Sequence, residues 1–393
     1  MVKELFIAIY LFVFRIVFNL FKLFPQKKKT VCVASFGDNI FYSVDALRSI
    51  SDEEIIILKD ASCRYPFDGS EYTLLAFDLK HPFSFLKSMY HLATGSTILI
   101  DTYHPFLSVT NFKTSTVCIQ LWHAAGAIKH FGLMDPTNEY RSAKAIERFK
   151  HVYDSFTYAV VGSENMADTF KDSFGLSDSQ ILRTGIPRSD VLFDNKKKQE
   201  VYKKIVQENP WIADKKVILY APTFRNDQLS NFQLQLNIEQ LYASLSDEYV
   251  LFIKPHPAVS YEIKDMFKEF VLDVSSFYDT NELLLVTDIL ISDYSSIPFE
   301  FAILEKPMIF FAYDMDEYKI ISGLIDNYEN QMPGPVVFST EAIISSIKEK
   351  NFNYKDIKDF AKRYNAYSDG SASLNLAKFL TETDERQKEK VSI

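Results

Sequence analysis

At 393 residues, 47% apolar and 24% charged, the chain is globular in composition and too long for a single ordinary core. Its net charge of −9 excludes a general nucleic-acid binder, whose surface is broadly basic, so any anionic ligand must be held by local donors. Cys32, Cys63 and Cys118 are odd in number and widely spaced, which excludes a disulfide frame and a zinc site and fits reduced thiols in a cytosolic setting.

Residues 5–24 are almost wholly apolar and rich in Phe and Ile, broken by Arg15, Asn19 and Lys22 and followed by Pro25 and Lys27-Lys28-Lys29. The length would cross a bilayer. A central Arg opposes crossing, at about 2.5–3.5 kcal/mol, and no small-residue cleavage site follows. Arg15, Asn19 and Lys22 share one face of a helix. The pattern therefore predicts a helix lying in the cytoplasmic membrane interface, its lysines drawn to anionic lipid; the competing reading is a core helix of the first domain. Residues 1–29 are assigned to this helix and its basic flank.

From Thr30 strands and helices alternate. Runs at 31–34, 55–58, 97–100, 116–121 and 158–161 read as strands of a doubly wound parallel sheet. Ligands of such sheets bind beyond the carboxyl ends of the strands. The loops there carry Asp101-Thr-Tyr-His104, Trp122-His123 and Gly162-Ser163-Glu164, which places candidate chemistry at His123. A second α/β series has strands at 217–220, 250–253, 289–291 and 308–311, and again polar groups follow them: Thr223 and Arg225 in APTFRND, Lys254 and His256 in KPHP, and Ser292-Asp293-Tyr294-Ser295-Ser296. The last cluster joins a strand to a helix opened by Pro298, with Ser295 or Ser296 as its cap. Free N–H groups, hydroxyls and a helix dipole make that turn a phosphate site. The expected domains are 30–190 and 191–375, with a charged tail over 376–393.

QLWHAAGAIKHFG (120–132), GIPRSD (185–190), YAPTFRND (220–227), KPHP and SDYSSIPFEFAILEKPMIFFAYD together resemble the CDP-glycerol glycerophosphotransferase family of teichoic acid synthesis. The match spans most of residues 115–375, in order. WHAAG in place of the WHGTP typical of the polymerases, with the short chain and apolar N-terminus, looks most like the family's primase branch. The resemblance implies a GT-B arrangement, two Rossmann-like domains facing across a cleft. It also implies CDP-glycerol as donor, CMP as leaving group and an undecaprenyl-diphosphate-linked disaccharide as acceptor. The family's two histidines match His123 and His256, and the serines that hold its pyrophosphate match Ser295 and Ser296.

The chemistry asks for the same residue types. A sugar hydroxyl needs a base as it attacks phosphorus, and imidazole is the usual one. Charge growing on the phosphoryl oxygens calls for cationic and hydroxyl donors. His123 is thus expected as base, with His256, Thr223, Arg225, Lys254, Ser292, Asp293, Ser295 and Ser296 around the donor; His104 and His130 are set aside. Asp314-Met-Asp316 has metal-ligand spacing, but with basic groups available no metal or other cofactor is expected. Three alternatives stay open: a glycerol or ribitol phosphate polymerase of the same family, a GT-B nucleotide-sugar glycosyltransferase or epimerase, and an inactive membrane scaffold.

Overall fold

A computed structural model of the protein describes residues 2–223, 225, 234–255, 262–275, 279–322, 324–325 and 327–391. The chain forms two compact units: Met1–His123, Phe131–Asp190 and Tyr367–Ile393 make the first, Ala124–His130 and Val191–Ala366 the second.

Among the described residues the first unit holds seven parallel strands: β1 (Lys27–Ala34), β2 (Glu54–Lys59), β3 (Thr73–Ala76), β4 (Gly95–Ile100), β5 (Val117–Gln120), β6 (Tyr158–Val160) and β7 (Ile181–Leu182). Their order is β3-β2-β1-β4-β5-β6-β7. The described residues of the second hold six: β8 (Lys216–Ala221), β9 (Tyr249–Ile253), β10 (Val271–Asp273), β11 (Ile289–Ser292), β12 (Met308–Phe311) and β13 (Val336–Val337), in order β10-β9-β8-β11-β12-β13. The central strands are near-continuous runs of Val, Ile, Leu and Phe, as strands covered on both faces must be. Strand order reverses between β1 and β4 in one sheet and between β8 and β11 in the other. Those switch points are where an open α/β sheet leaves a crevice for a ligand.

Three boundaries differ from the sequence expectation. Residues 376–393 are not a separate tail: the helix Ala372–Val391 packs on the helix Asp38–Ile50, burying Ala372, Leu376, Ala377 and Leu380. Its start is fixed by Asp190 of GIPRSD, whose carboxylate accepts from the N–H groups of Ala372 (2.9 Å) and Ser373 (2.8 Å). The segment Ala124–His130 belongs to the second unit although its neighbours on both sides belong to the first. Finally, Lys27–Lys29 is not merely a flank but the start of β1. Lys29 is fully buried, with Nζ 2.8 Å from Thr94 Oγ1 and 3.0 Å from His91 Nδ1, and burial lowers its pKa to about 8.

The N-terminal helix Val2–Phe21 has two apolar faces. Leu11, Phe14 and Phe18 are buried, with Phe14 stacked 5.1 Å from Phe106 and Phe18 edge-on to Phe112 at 5.6 Å. Leu5, Phe6, Ile9, Phe12, Val13, Ile16 and Leu20 are exposed. Among the described residues it is the one helix long and apolar enough to cross a membrane. The core-helix reading therefore holds for one face only.

Candidate functional site

His123 follows β5 at the rim of the first sheet. Its Nδ1 lies 3.1 Å from the main-chain carbonyl oxygen of Asp101, the residue after β4. A carbonyl only accepts, so Nδ1 carries the proton and Nε2 is left with its lone pair. The imidazole lies between the rings of Phe36 (centroids 4.2 Å, planes 10° apart) and Trp122 (4.4 Å, 29°). Burial, and to a lesser degree the Arg188 charge, lowers its pKa to about 4, against the Asp101 hydrogen bond and Asp38. The imidazole is therefore neutral near pH 7.

The backbone that presents this ring is strained. Trp122 has φ +59°, a conformation costly for a bulky residue. It is pinned from both sides: Gln120 Oε1 accepts from its N–H at 2.8 Å, and Asn39 Nδ2 donates to its carbonyl at 2.9 Å. Asn39 is fully buried, and its Oδ1 accepts from the Arg188 N–H at 3.0 Å. Arg188 also donates to Asp38 at 2.6 Å. Gln120 and Arg188 sit inside motifs singled out from sequence; Asn39 carried no signal there. Gly162-Ser163-Glu164 is structural: Ser163 caps the helix Glu164–Phe174 and Glu164 pairs with Arg183. His104 is buried and its Nε2 has no hydrogen-bond partner; His130 is exposed.

In the second unit the loops after β8 and β11 meet. Thr223 donates through both its N–H (2.8 Å) and its hydroxyl (2.6 Å) to Asp293 Oδ1. Arg225 lies 3.0 Å from Asp293 Oδ2 and donates to both oxygens of Asp314, at 2.9 and 3.0 Å. Tyr294, Tyr313 and Tyr318 surround the guanidinium, their ring centroids 5.1, 5.7 and 4.6 Å away. Burial opposes the guanidinium charge, but the Asp314 hydrogen bonds and Asp293 outweigh it and hold its pKa above the ordinary value. Three residues expected around a donor thus hold one another, and Asp314 spends both oxygens on Arg225, leaving Asp314-Met-Asp316 without two open carboxylates.

Ser292 is fully buried and donates to the Ala221 carbonyl at 3.1 Å, so it ties β11 to β8. Ser295 Oγ accepts from the Ile297 N–H at 3.1 Å, a local turn bond at the start of the short helix Ile297–Phe301; Ser296 is the N-cap residue and its side chain makes no capping hydrogen bond. Lys254 follows β9, and burial lowers its pKa. His256 lies outside the described residues. Gly126 of WHAAG packs where a Cβ would stand 2.3 Å from the Phe299 ring, so glycine is required at that approach.

Two parallel α/β units, each with polar groups gathered at its switch point, define the class: a two-unit parallel α/β fold. The solved wall teichoic acid polymerase TagF has this fold, with TM-score 0.80 at 24% identity over 98% of this chain and 99% of that one. A UDP-GlcNAc 2-epimerase from Neisseria meningitidis is a more distant likeness, with TM-score 0.57 at 16% identity over 91% of this chain and 100% of that one. The protein belongs to the CDP-glycerol:poly(glycerophosphate) glycerophosphotransferase family, whose model matches residues 27–382. It is 44% identical to the teichoic acid glycerol-phosphate primase of Bacillus subtilis (strain 168), over 77% of each chain. The Bacillus spizizenii primase of the same description is 37% identical over 79% of this chain and 81% of that one.

Proposed function

We propose that the protein primes teichoic acid synthesis by transferring glycerol phosphate from CDP-glycerol to a hydroxyl of an undecaprenyl-diphosphate-linked disaccharide. The observation that carries the mechanism is the His123 imidazole, neutral and with its lone pair on Nε2. Family membership and the 44% identity to a glycerol-phosphate primase support the substrate class.

In this reading Nε2 takes the acceptor hydroxyl proton as the hydroxyl oxygen bonds to the glycerol-bearing phosphorus of the donor. The bond from that phosphorus to the bridging oxygen breaks, and CMP departs with the electron pair. Lys254, His256, Ser295 and Ser296 hold the diphosphate. Arg225 stands one step back: with Asp293 and Thr223 it fixes the shape of the loops that present those donors. No metal is invoked, since the cationic side chains neutralise the growing charge and Asp314 is already paired with Arg225. The exposed face of the helix Val2–Phe21, with Lys22, Lys27 and Lys28, rests on the cytoplasmic membrane surface, where a lipid-linked acceptor lies.

The test is transfer from CDP-glycerol to a short-chain analogue of the lipid-linked disaccharide, with products read by mass spectrometry. A single added glycerol phosphate is expected. A ladder of units would make the enzyme a polymerase, preferential use of CDP-ribitol would change the donor, and sugar transfer or epimerisation of UDP-sugars would overturn the reading.

A further inference from the structure

Asp101 bears on His123 in two ways, one direct and one through Phe36. Its main-chain carbonyl accepts the Nδ1 proton at 3.1 Å. Its carboxylate, fully buried, accepts from three successive N–H groups of the turn after β1: Ser35 at 3.0 and 3.1 Å, Phe36 at 2.9 Å and Gly37 at 2.8 Å. The third of these requires Gly37 at φ +96°, a conformation that favours glycine. A concave run of N–H groups after the first strand of such a sheet is ordinarily an anion site. Here the chain's own carboxylate fills it. The residue at the centre of that turn, Phe36, is 48% exposed yet lies flat on the imidazole. Its ring is an outer cover, held in place by its backbone rather than by burial in a core.

We propose that Asp101 is the positioning residue of the transfer reaction: one end sets the tautomer and direction of His123, and the other holds the Phe36 cover that keeps water off it. The proposal rests on His123 as base. A carboxylate is needed because the three N–H groups converge on Oδ2, where a neutral amide oxygen accepts more weakly than a charged one, and the amide NH2 would face the Ser35 N–H now bound to Oδ1. In Asp101→Asn the turn loosens, Phe36 leaves the ring, and hydration returns the imidazole toward its ordinary titration range. The charges facing the imidazole are Arg188 from the 3-10 helix Pro187–Phe193 and Asp38 from the helix Asp38–Ile50.

Asp101→Asn and Phe36→Leu, each in the full chain, are compared with wild type for kcat, for KM of CDP-glycerol and for the acid limb of kcat/KM against pH. His123 is followed by NMR of its Cε1–H. Both variants are expected to lose kcat, on the order of 10- to 100-fold for a misplaced base. KM should be nearly unchanged, and the acid limb and the His123 titration should both move to higher pH. Phe36→Leu leaves the Asp101 carboxylate contacts intact, so it decides the matter if Asp101→Asn fails to fold. Wild-type kcat and an unmoved acid limb in folded variants would overturn the proposal. Full activity in His123→Gln would instead overturn the base assignment, and this proposal with it.

Discussion

Replacing Arg225 by Met separates a structural role from a ligand role. Methionine keeps the length and apolar bulk beneath Tyr294, Tyr313 and Tyr318 but removes the charge between Asp293 and Asp314. The Asp293 side chain is 1% exposed and that of Asp314 16%, so neither carboxylate can be fully rehydrated where it stands. Removing one partner of a buried pair costs about 3–5 kcal/mol, because the charge left behind keeps its desolvation penalty. For domains of 150–250 residues each kcal/mol moves Tm by about 2–4 °C, so the second unit should melt on the order of 6–20 °C lower. Differential scanning calorimetry reads this directly, and adding Asp293→Asn to Arg225→Met should recover part of the loss. Isothermal titration with CMP at a temperature where the variant is folded completes the experiment. A Tm within 1–2 °C of wild type (roughly 0.5 kcal/mol) combined with lost CMP affinity would refute the argument and make Arg225 a donor ligand.

Ser295→Ala with Ser296→Ala should weaken CDP-glycerol more than CMP, since the serines are assigned to the diphosphate; equal losses by calorimetry would make the turn purely structural. Changing the outward Phe6, Phe12 and Ile16 to Ser should release the protein from anionic vesicles in flotation while Tm holds, because those side chains are exposed; deleting the whole helix would instead uncover the contacts of Phe14 and Phe18. His104 and His123 titrate near 4 in the fold, below the ordinary 6.5. Their contribution to stability is thus intact above about pH 6.5 and lost as pH falls toward 4, while Asp101, whose carboxyl pKa is raised by burial against the pull of the Gly37, Ser35 and Phe36 N–H groups, acts in the opposite sense. His104→Phe should therefore lose less stability between pH 7 and pH 5 than wild type, measured as the urea midpoint; an unchanged loss would mean that His104 titrates normally.

The nine strands legible in the sequence are those with neighbours on both sides, together with no edge strand at all. β3, β7, β10 and β13 were not legible, and they are the four edges of the two sheets. A strand flanked on one side is short and only partly buried, as the Thr73–Ala76 and Val271–Asp273 strands are, so it lacks the continuous apolar run that marks a central strand. At the site, the loops after the strands were legible because polar clusters interrupt apolar runs there. What those side chains touch was not. Thr223, Arg225 and Asp293 read as three donor contacts and form one mutual network, a pairing between loops some 70 residues apart. Asp101 was visible only as one of a polar cluster, because its role depends on a main-chain carbonyl and on the turn after a different strand.

The excursion of Ala124–His130 into the second unit bears on how such enzymes can be recombined. A cut at residue 190 is the obvious seam for exchanging C-terminal halves between relatives. It would leave Gly126 in the recipient's half while Phe299, against which it packs, arrives with the graft. The same holds for the Lys129–Leu324 bridge, the Ile325 N–H to Ile128 carbonyl hydrogen bond at 3.1 Å, and Lys129 over the Tyr318 ring. The seven residues immediately after His123 are thus inherited with one half of the chain and fitted to the other. A working chimera has to carry them with the graft, and an exchange at residue 190 alone should fold its two parts from mismatched pieces.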